Sequence, residues 1–480
     1  MKTIENTKNR LIDYQRLFKD LHIEINPEYP SNDIGIAKLF HDIHRNVACY
    51  VAESEEWYYY NGKRWVKDRG SLFVMELCKT FALALDDYVT QLNDGSEESR
   101  KLVNYITGFH TRGKRLTLLA DAKSVEPKSL DDFDCNKILL NCMNGTFNLQ
   151  TFTLQPHNSD DYITKITKAK YDKEAVCPRW LEFIDEIMCG DADSAVFLQK
   201  ANGYSLSGDT SHECFFSLKG PLTRNGKSTL METEKYALGD YAITMQAQSL
   251  AHRSRDGAAA SPDMARLKGA RLVIVPEPTK GLDLNAALVK QFTGGENYVA
   301  RNLNENFFEF QPEFKIFVNA NNLPRISDDT VFASGRVHVI PFDRHYKPEE
   351  QDKSLKKLFR RSGNISGILN WMIEGYRLLL DEGLEPPQRI VDATAEYRQD
   401  ADIFGQFLAE YITEKDGAYL STSKLYKEYY VEWAKNNGYR PDSNQAFVGE
   451  LRRRFWVRRV TSLGNVIDGV ALSVDMASAP

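Results

Sequence analysis

Cysteine is sparse: Cys49, Cys78, Cys135, Cys142, Cys177, Cys189 and Cys214 are scattered along the chain, and no two form a Cys-x-x-Cys pair. That excludes a zinc ribbon and a disulfide framework and fits small core residues in a reducing cytoplasm. No stretch approaches the ~18 consecutive apolar residues of a membrane span, and positions 1–20 are charged where an exported chain carries an apolar leader. The expectation is a soluble, non-exported, cytoplasmic protein with no membrane partner. Excess charge of one sign is missing too. Lys and Arg number 61 against 67 Asp and Glu, a formal charge of -6, so any polyanion must be held by local basic patches. Internal repeats and low-complexity tracts are absent. With 42% apolar and 27% charged residues the chain can bury substantial cores. Its 480 residues suggest about three domains at roughly 150 residues each.

Near-helical spacing of Ile4, Leu11, Tyr14, Phe18 and Leu21 predicts an opening helix, and an aromatic hairpin is predicted at 56–65, where Asn61-Gly62 separates Trp57-Tyr-Tyr-Tyr60 from Trp65. Those aromatics are read as a packed hairpin core rather than a base-stacking surface. Helical sequence follows over 72–106, completing a helical amino-terminal region over 1–130. A second hairpin is predicted around Asn144-Gly145 and helices over 178–206, in a domain spanning 131–210. From Glu213 onward short apolar runs alternate with helices. The runs 214–218, 271–275, 314–318 and 336–340 read as buried strands of an α/β sheet with crossover helices, over 211–345. A helical connector over 346–395 and a carboxy-terminal domain over 396–480 complete the layout. In the latter, helices around Phe404–Phe407 spacing, Tyr426–Trp433 spacing and 443–455 lead into β-like runs at 457–461 and 465–474, which suggests a winged helix.

The sharpest chemical signal is Gly220-Pro-Leu-Thr-Arg-Asn225-Gly226-Lys227-Ser228-Thr229, placed directly after a predicted strand. A phosphate-binding loop needs glycine so that backbone N–H groups can face the phosphates. It needs lysine to neutralise β/γ oxygens and a hydroxyl to ligate Mg²⁺. Gly226, Lys227 and Ser228 fill those roles, although five residues rather than four separate Gly220 from Gly226. ATP and Mg²⁺ are the implied ligands, with Ser228 as the metal's protein ligand and Gly220, Asn225 and Thr229 completing the nucleotide site. The run Arg271-Leu-Val-Ile-Val-Pro276-Glu277 then delivers a carboxylate suited to orienting Mg²⁺ and water. Phe314-Lys-Ile-Phe-Val-Asn-Ala-Asn321-Asn322-Leu-Pro324 ends a strand in an amide suited to holding the attacking water. Finally, Ser334-Gly335-Arg336 opens the last strand with a cation able to reach a neighbouring subunit's phosphate; where such fingers are known they are worth about 10³–10⁵ in rate.

In this order the motifs resemble the superfamily 3 helicases, and more closely the phage and plasmid primase-helicase family that includes satellite-phage and poxvirus members. Cys177-Pro178-Arg179-Trp180, Gly203-Tyr204-Ser205-Leu206 and Thr293-Gly294-Gly295 resemble further segments of that family, and the resemblance covers about 135–400. It implies an AAA+-like P-loop motor forming a homo-hexameric ring that hydrolyses ATP between subunits and moves along single-stranded DNA. By similarity, Lys227 and Ser228 are nucleotide ligands, Glu277 is the catalytic acid, Asn321 the phosphate sensor and Arg336 the finger. The segment 299–310 should form the channel hairpin; its tip, Asn304-Glu305-Asn306, lacks the usual lysine and leaves Arg301 as the basic DNA-binding candidate.

Arg452, Arg453, Arg454, Arg458 and Arg459 form a basic run on the last predicted helix and wing, a candidate DNA-binding surface or a solvated helix face. Lys353, Lys356, Lys357, Arg360 and Arg361 form a second run, read as an exposed face. The expected function is an ATP-dependent DNA helicase of phage or mobile-element replication in a bacterial host, acting on single-stranded and forked DNA, with a separate primase, polymerase or origin factor as a further partner. Two alternatives stand beside it. One is an origin-binding initiator with a regulatory ATPase. The other is the helicase part of a primase-helicase, with primase activity itself disfavoured because 130 residues leave little room for a polymerising domain. A nucleotide kinase would need an acceptor pocket that no motif supplies.

Overall fold

The computed structural model describes residues 12–251, 262–279, 281–301, 307–326, 328–439 and 441–473. They fall into two compact units, Met1–Pro324 with Arg336–Ile390, and Arg325–Gly335 with Val391–Pro480.

The first unit begins with helices packed on an aromatic core. Phe18, Phe40 and Phe81 meet edge to face, and the helices Asp33–His44, Leu72–Gln91, Glu97–Thr107 and Arg112–Ala122 close around them. The opening helix is Tyr14–Asp20; Ile4 and Leu11 lie outside the described residues. The aromatic segment is a three-stranded antiparallel sheet of Ala48–Val51, Glu56–Tyr60 and Trp65–Lys67, one strand more than the sequence suggests. Its turn is wider than a two-residue Asn-Gly turn. Tyr60 pairs with Trp65, and Asn61 Oδ1 accepts from the amides of both Lys63 and Arg64 across a four-residue loop. Trp57, Tyr60 and Trp65 are buried, and Trp65 stacks on Tyr162, so these aromatics build core.

The second hairpin joins strands Leu139–Cys142 and Gly145–Asn148 through Met143 and Asn144. Gly145 is needed for closeness rather than for turning: a Cβ there would sit 2.5 Å from the Gln155 carbonyl oxygen.

A five-stranded parallel sheet forms the centre of this unit. Its strands are β1 (Phe215–Lys219), β2 (Ala242–Thr244), β3 (Leu272–Val275), β4 (Lys315–Ala320) and β5 (Val337–Pro341), in the spatial order β5-β1-β4-β3-β2. The continuous apolar runs are explained by burial on both faces, which parallel sheets require because crossover helices cover them. The three-residue β2 was too short to leave a signal. Two buried cations anchor the start of the sheet. Arg271 donates to the carbonyls of Leu206 and Leu139, and Lys315 donates to those of Ser207 and Asp209 at 2.6 and 2.7 Å. The helices Leu355–Phe359 and Ser362–Glu382 follow, and Trp371 and Phe359 close on Trp180 edge to face.

The second unit has its own core of Phe404, Phe407, Tyr430, Trp433 and Phe447. The helix Ile403–Tyr411 ends earlier than its apolar repeat implies. At Ile412 the backbone becomes extended and enters β6 (Ile412–Ser421), because β-branched Ile412 and Thr413 pair with Leu472 and Ala471. The helix α2 (Asn444–Arg454) then leads into β7 (Val457–Val460) and β8 (Gly464–Leu472), giving an antiparallel sheet ordered β6-β8-β7. The segment Arg325–Gly335 belongs to this unit; Arg398 grips Asp329 with two nitrogens, at 2.5 and 2.6 Å.

Candidate functional site

The parallel sheet brings three motif-bearing segments to one edge. Ala320 at the end of β4 pairs with Lys219 at the end of β1, and Val318 pairs with Val275 at the end of β3. The loop after β1, Glu277 after β3 and Asn321 after β4 therefore leave the carboxyl ends of three adjacent strands. This is where open α/β sheets present ligand sites.

Within the loop, Gly226 has φ +86° and a Cβ there would meet Ile187 Cγ2 at 2.4 Å, so conformation and space both demand glycine. A Cβ on Gly220 would fall 2.0 Å from Asn225 Nδ2 and 2.7 Å from Lys227 Nζ. Asn225 is buried, and its amide donates to the Leu222 carbonyl at 2.7 Å, which braces the loop from inside. The helix α1 (Lys227–Leu238) starts immediately after Gly226, and no side chain caps its amino terminus. Its first amides thus face outward with the positive end of the helix dipole behind them.

Lys227 is buried, and its ammonium donates to Asn321 Oδ1 at 2.8 Å, to the Ala320 carbonyl at 3.0 Å and to the Gly220 carbonyl at 3.3 Å. Burial pulls its pKa down from 10.5 to about 8, and the Glu277 carboxylate opposes that shift. Lysine, amide and carboxylate are thereby brought into one electrostatic neighbourhood. Glu277 and Ser228 are exposed, and Thr229 is half-buried.

Beside the loop lies a cavity of about 480 Å³, lined by Asn225, Gly226, Ser228 and Thr229 on one side and by Phe183, Tyr346, Lys353 and Lys356 among others opposite. The loop is tethered to that opposite wall. His345 Nδ1 lies 2.7 Å from the Thr223 carbonyl, and the Tyr346 amide donates to the Arg224 carbonyl at 2.9 Å. Phe183 and Tyr346 escaped the sequence reading because a single aromatic in a helix or after a strand carries no motif. Lys353 and Lys356, read as part of an exposed basic face, also line this cavity; Lys353, Lys357, Arg360 and Arg361 are exposed, and Lys356 pairs with Glu232 at 2.7 Å. These features suit a phosphate-bearing ligand: an uncapped helix start, a buried lysine, an exposed hydroxyl and a cavity whose four cations, Arg179, Arg224, Lys353 and Lys356, outnumber its acids, Glu350 and Asp352.

Arg336 stands elsewhere. It precedes β5, and its carbonyl accepts from Phe215 at the start of β1, so it lies at the sheet edge opposite the loop. Its guanidinium pairs with the Glu213 carboxylate and donates to Thr293 Oγ1 at 2.8 Å. The predicted hairpin consists of antiparallel strands Tyr298–Arg301 and Phe307–Phe310, with the Arg301 guanidinium over the Phe307 ring at 4.7 Å. Asn304, Glu305 and Asn306 lie outside the described residues.

The terminal arginines are unequal. Arg454 makes a two-pronged pair with Asp402 at 2.7 and 2.8 Å, Arg453 pairs with Glu450 at 2.5 Å and Arg458 with Asp468 at 2.5 Å. Arg452 and Arg459 are exposed and have no acidic partner among the described residues.

Residues 37–189 match the family model described as "D5 N terminal like". That match and several viral relatives make the chain similar to the phage and viral primase-helicase family. Among those relatives, the protein named "Putative helicase L207/L206" of Acanthamoeba polyphaga mimivirus is 27% identical over 84% of this chain and 45% of its own length. "Putative helicase 022R" of Frog virus 3 is 24% identical over 61% of this chain and 30% of its own length. "Putative helicase V13" of the Sputnik virophage is 23% identical over 68% and 44% respectively. The chain spans less than half the length of these curated relatives. Among solved structures, the apo C-terminal region of NrS-1 aligns with a TM-score of 0.49 at 11% identity, covering 91% of this chain and 99% of that one. The family match covers the amino-terminal region, where the sequence resembles the family's helical lead-in only weakly, and ends before the loop that follows β1. Among the described residues, no helix is long and apolar enough to cross a membrane.

Proposed function

We infer that this chain is an ATP-driven DNA helicase motor of viral or mobile-element replication, of the AAA+-like P-loop type, working as a ring on single-stranded DNA. One observation carries the reading: Lys227 bonds Asn321 at the uncapped start of α1, and Asn321 and Glu277 leave the carboxyl ends of adjacent parallel strands. That is the arrangement nucleoside-triphosphate hydrolysis requires, with cation, amide and carboxylate around one phosphate position. When bound, ATP with Mg²⁺ supplies the scissile phosphoanhydride and a neutralising cation. Lys227 and the first amides of α1 hold phosphate oxygens, and the Ser228 hydroxyl is the protein's metal ligand. Glu277 orients water and takes its proton, and Asn321 fixes that water after releasing the Lys227 ammonium. The antiparallel strands Tyr298–Arg301 and Phe307–Phe310 and the carboxy-terminal unit, with an arrangement of helices and wing suited to a winged helix, are the proposed DNA contacts.

The test separates binding from turnover. Lys227→Ala should abolish ATP hydrolysis while the fold, monitored by circular dichroism, survives. Glu277→Gln should retain nucleotide binding and stop turnover by about 10² or more, as expected for loss of a general base. A folded Lys227→Ala protein with full ATPase activity would remove the nucleotide site.

A further inference from the structure

The carboxy-terminal sheet exposes two aromatic rings in one cross-strand row. Tyr419 on β6 pairs with Asp468 on β8, and the Asp468 amide donates to the Trp456 carbonyl at 3.3 Å, extending the β7 ladder by one residue. Tyr419, Asp468 and Trp456 therefore lie opposite one another across three strands, where directly opposed residues share a face. Trp456 is 77% exposed and Tyr419 54% exposed. Two strand spacings, about 10 Å, separate their backbones, and no ring contact joins them. Between them Arg458 Nε donates to Asp468 Oδ2 at 2.5 Å, so the centre of the row is neutral. Burial explains neither ring. The unit's core holds its other large aromatics, including Phe404, Phe407, Tyr430, Trp433 and Phe447.

The charges alongside argue for a nucleic acid as occupant, and for one with free bases. Arg452 and Arg459 flank Trp456 in sequence and remain uncommitted to any acid among the described residues, whereas Arg453, Arg454 and Arg458 are neutralised by Glu450, Asp402 and Asp468. Arg459 lies three residues from Trp456 along the strand and so on the other face of the sheet. Two free guanidinium groups on different faces make a thin contact for a duplex backbone, whose affinity grows with each phosphate neutralised. Two exposed rings offer what a duplex cannot use and a single strand can: π faces for unpaired bases. We propose that Trp456 and Tyr419 form a base-stacking platform for single-stranded DNA, with Arg452 holding an adjoining phosphate. This rests on the nucleic-acid reading above and refines it, because it assigns the terminal unit to unpaired bases rather than to a duplex site.

Fluorescence makes the test specific. Of the six tryptophans, Trp57, Trp65, Trp180, Trp371 and Trp433 are all under 10% exposed, so Trp456 is the one a ligand can reach directly. With the full chain and no nucleotide, oligo(dT) should quench emission in the unmodified protein and not in Trp456→Ala. By anisotropy, Trp456→Ala and Tyr419→Ala should each weaken oligo(dT) binding about tenfold, the range of one lost base stack. Trp456→Phe should retain most of the affinity, and binding to a blunt duplex of equal length should change little in all variants. Equal loss on single strand and duplex would overturn the proposal, as would unchanged oligo(dT) binding. A shift in oligomeric state without a change in oligo(dT) binding would assign the rings to a protein interface and overturn it too. ATPase activity measured without DNA on the same proteins keeps the two readings apart. Normal hydrolysis with unchanged oligo(dT) binding in Trp456→Ala removes the platform alone, and oligo(dT) quenching in a protein that never hydrolyses ATP removes the motor alone.

Discussion

Glu234 lies in α1, the helix that starts at the loop; it is buried and neither carboxyl oxygen has a hydrogen-bond partner. Burial raises its pKa from the ordinary 4.5 to about 8. The unfolded chain gives up this proton near 4.5 and the folded chain keeps it until about 8, so between those values the folded state binds more protons and rising pH favours unfolding. The stabilisation is fully present below 4.5 and is lost as pH passes through about 8. Glu234→Gln keeps the shape and removes the titration. Thermal melting across pH 4.5–8 should therefore show a smaller decline for Glu234→Gln than for the unmodified protein, and parallel curves would show that Glu234 is ionised in the folded state. Lys227 shows the opposite economy: its burial is compensated by three acceptors, which keep the cation aimed at the end of β4.

At the scale of elements, the sheet is held from its two ends by different devices. The carboxyl edge carries the loop, and the opposite edge is locked by buried cations. Arg271 reaches carbonyls of Leu206, Asn136 and Leu139 and packs over the Tyr241 ring at 4.7 Å, tying the preceding hairpin region to β3. Arg271→Ala leaves buried carbonyls unpaired, so chemical denaturation should show a loss of about 3 kcal/mol, within the range for removing one partner of a buried charged network. Lys268→Ala, which removes the pair with exposed Asp131 and a cation contact 5.8 Å from the Phe308 ring centre, should cost at most about 1 kcal/mol. Similar losses for the two variants would show that the Arg271 anchor is replaceable by water.

For the whole molecule, the decisive question is whether Arg336 acts within its own chain or on a neighbour. Its place at the edge opposite Lys227 prevents it from serving its own loop, and its bonds to Glu213 and Thr293 give it a bracing role at home. A finger acting in trans predicts complementation. Mixed Lys227→Ala and Arg336→Ala subunits should regain part of the ATPase activity that each lacks alone, and unwinding should recover less because successive interfaces must fire. Mixed assemblies, verified by subunit exchange, that stay inactive would leave Arg336 with the bracing role alone.

The sequence alone was enough for the elements whose signals are local. The loop at Gly226-Lys227-Ser228, the apolar strands and the helix repeats are legible because backbone geometry and burial impose residue types at short spacing. Asn61-Gly62 and Asn144-Gly145 marked two turns in the same way, although one turn is longer than a two-residue loop and the second glycine answers to the Gln155 carbonyl instead. Only the tertiary structure decided which distant residues meet. The parallel order β5-β1-β4-β3-β2 put Asn321 on Lys227, and folding of the terminal unit neutralised Arg453, Arg454 and Arg458 while leaving Trp456 bare. Strand order and ion pairing depend on contacts between residues far apart in the chain, and no spacing within a segment encodes them.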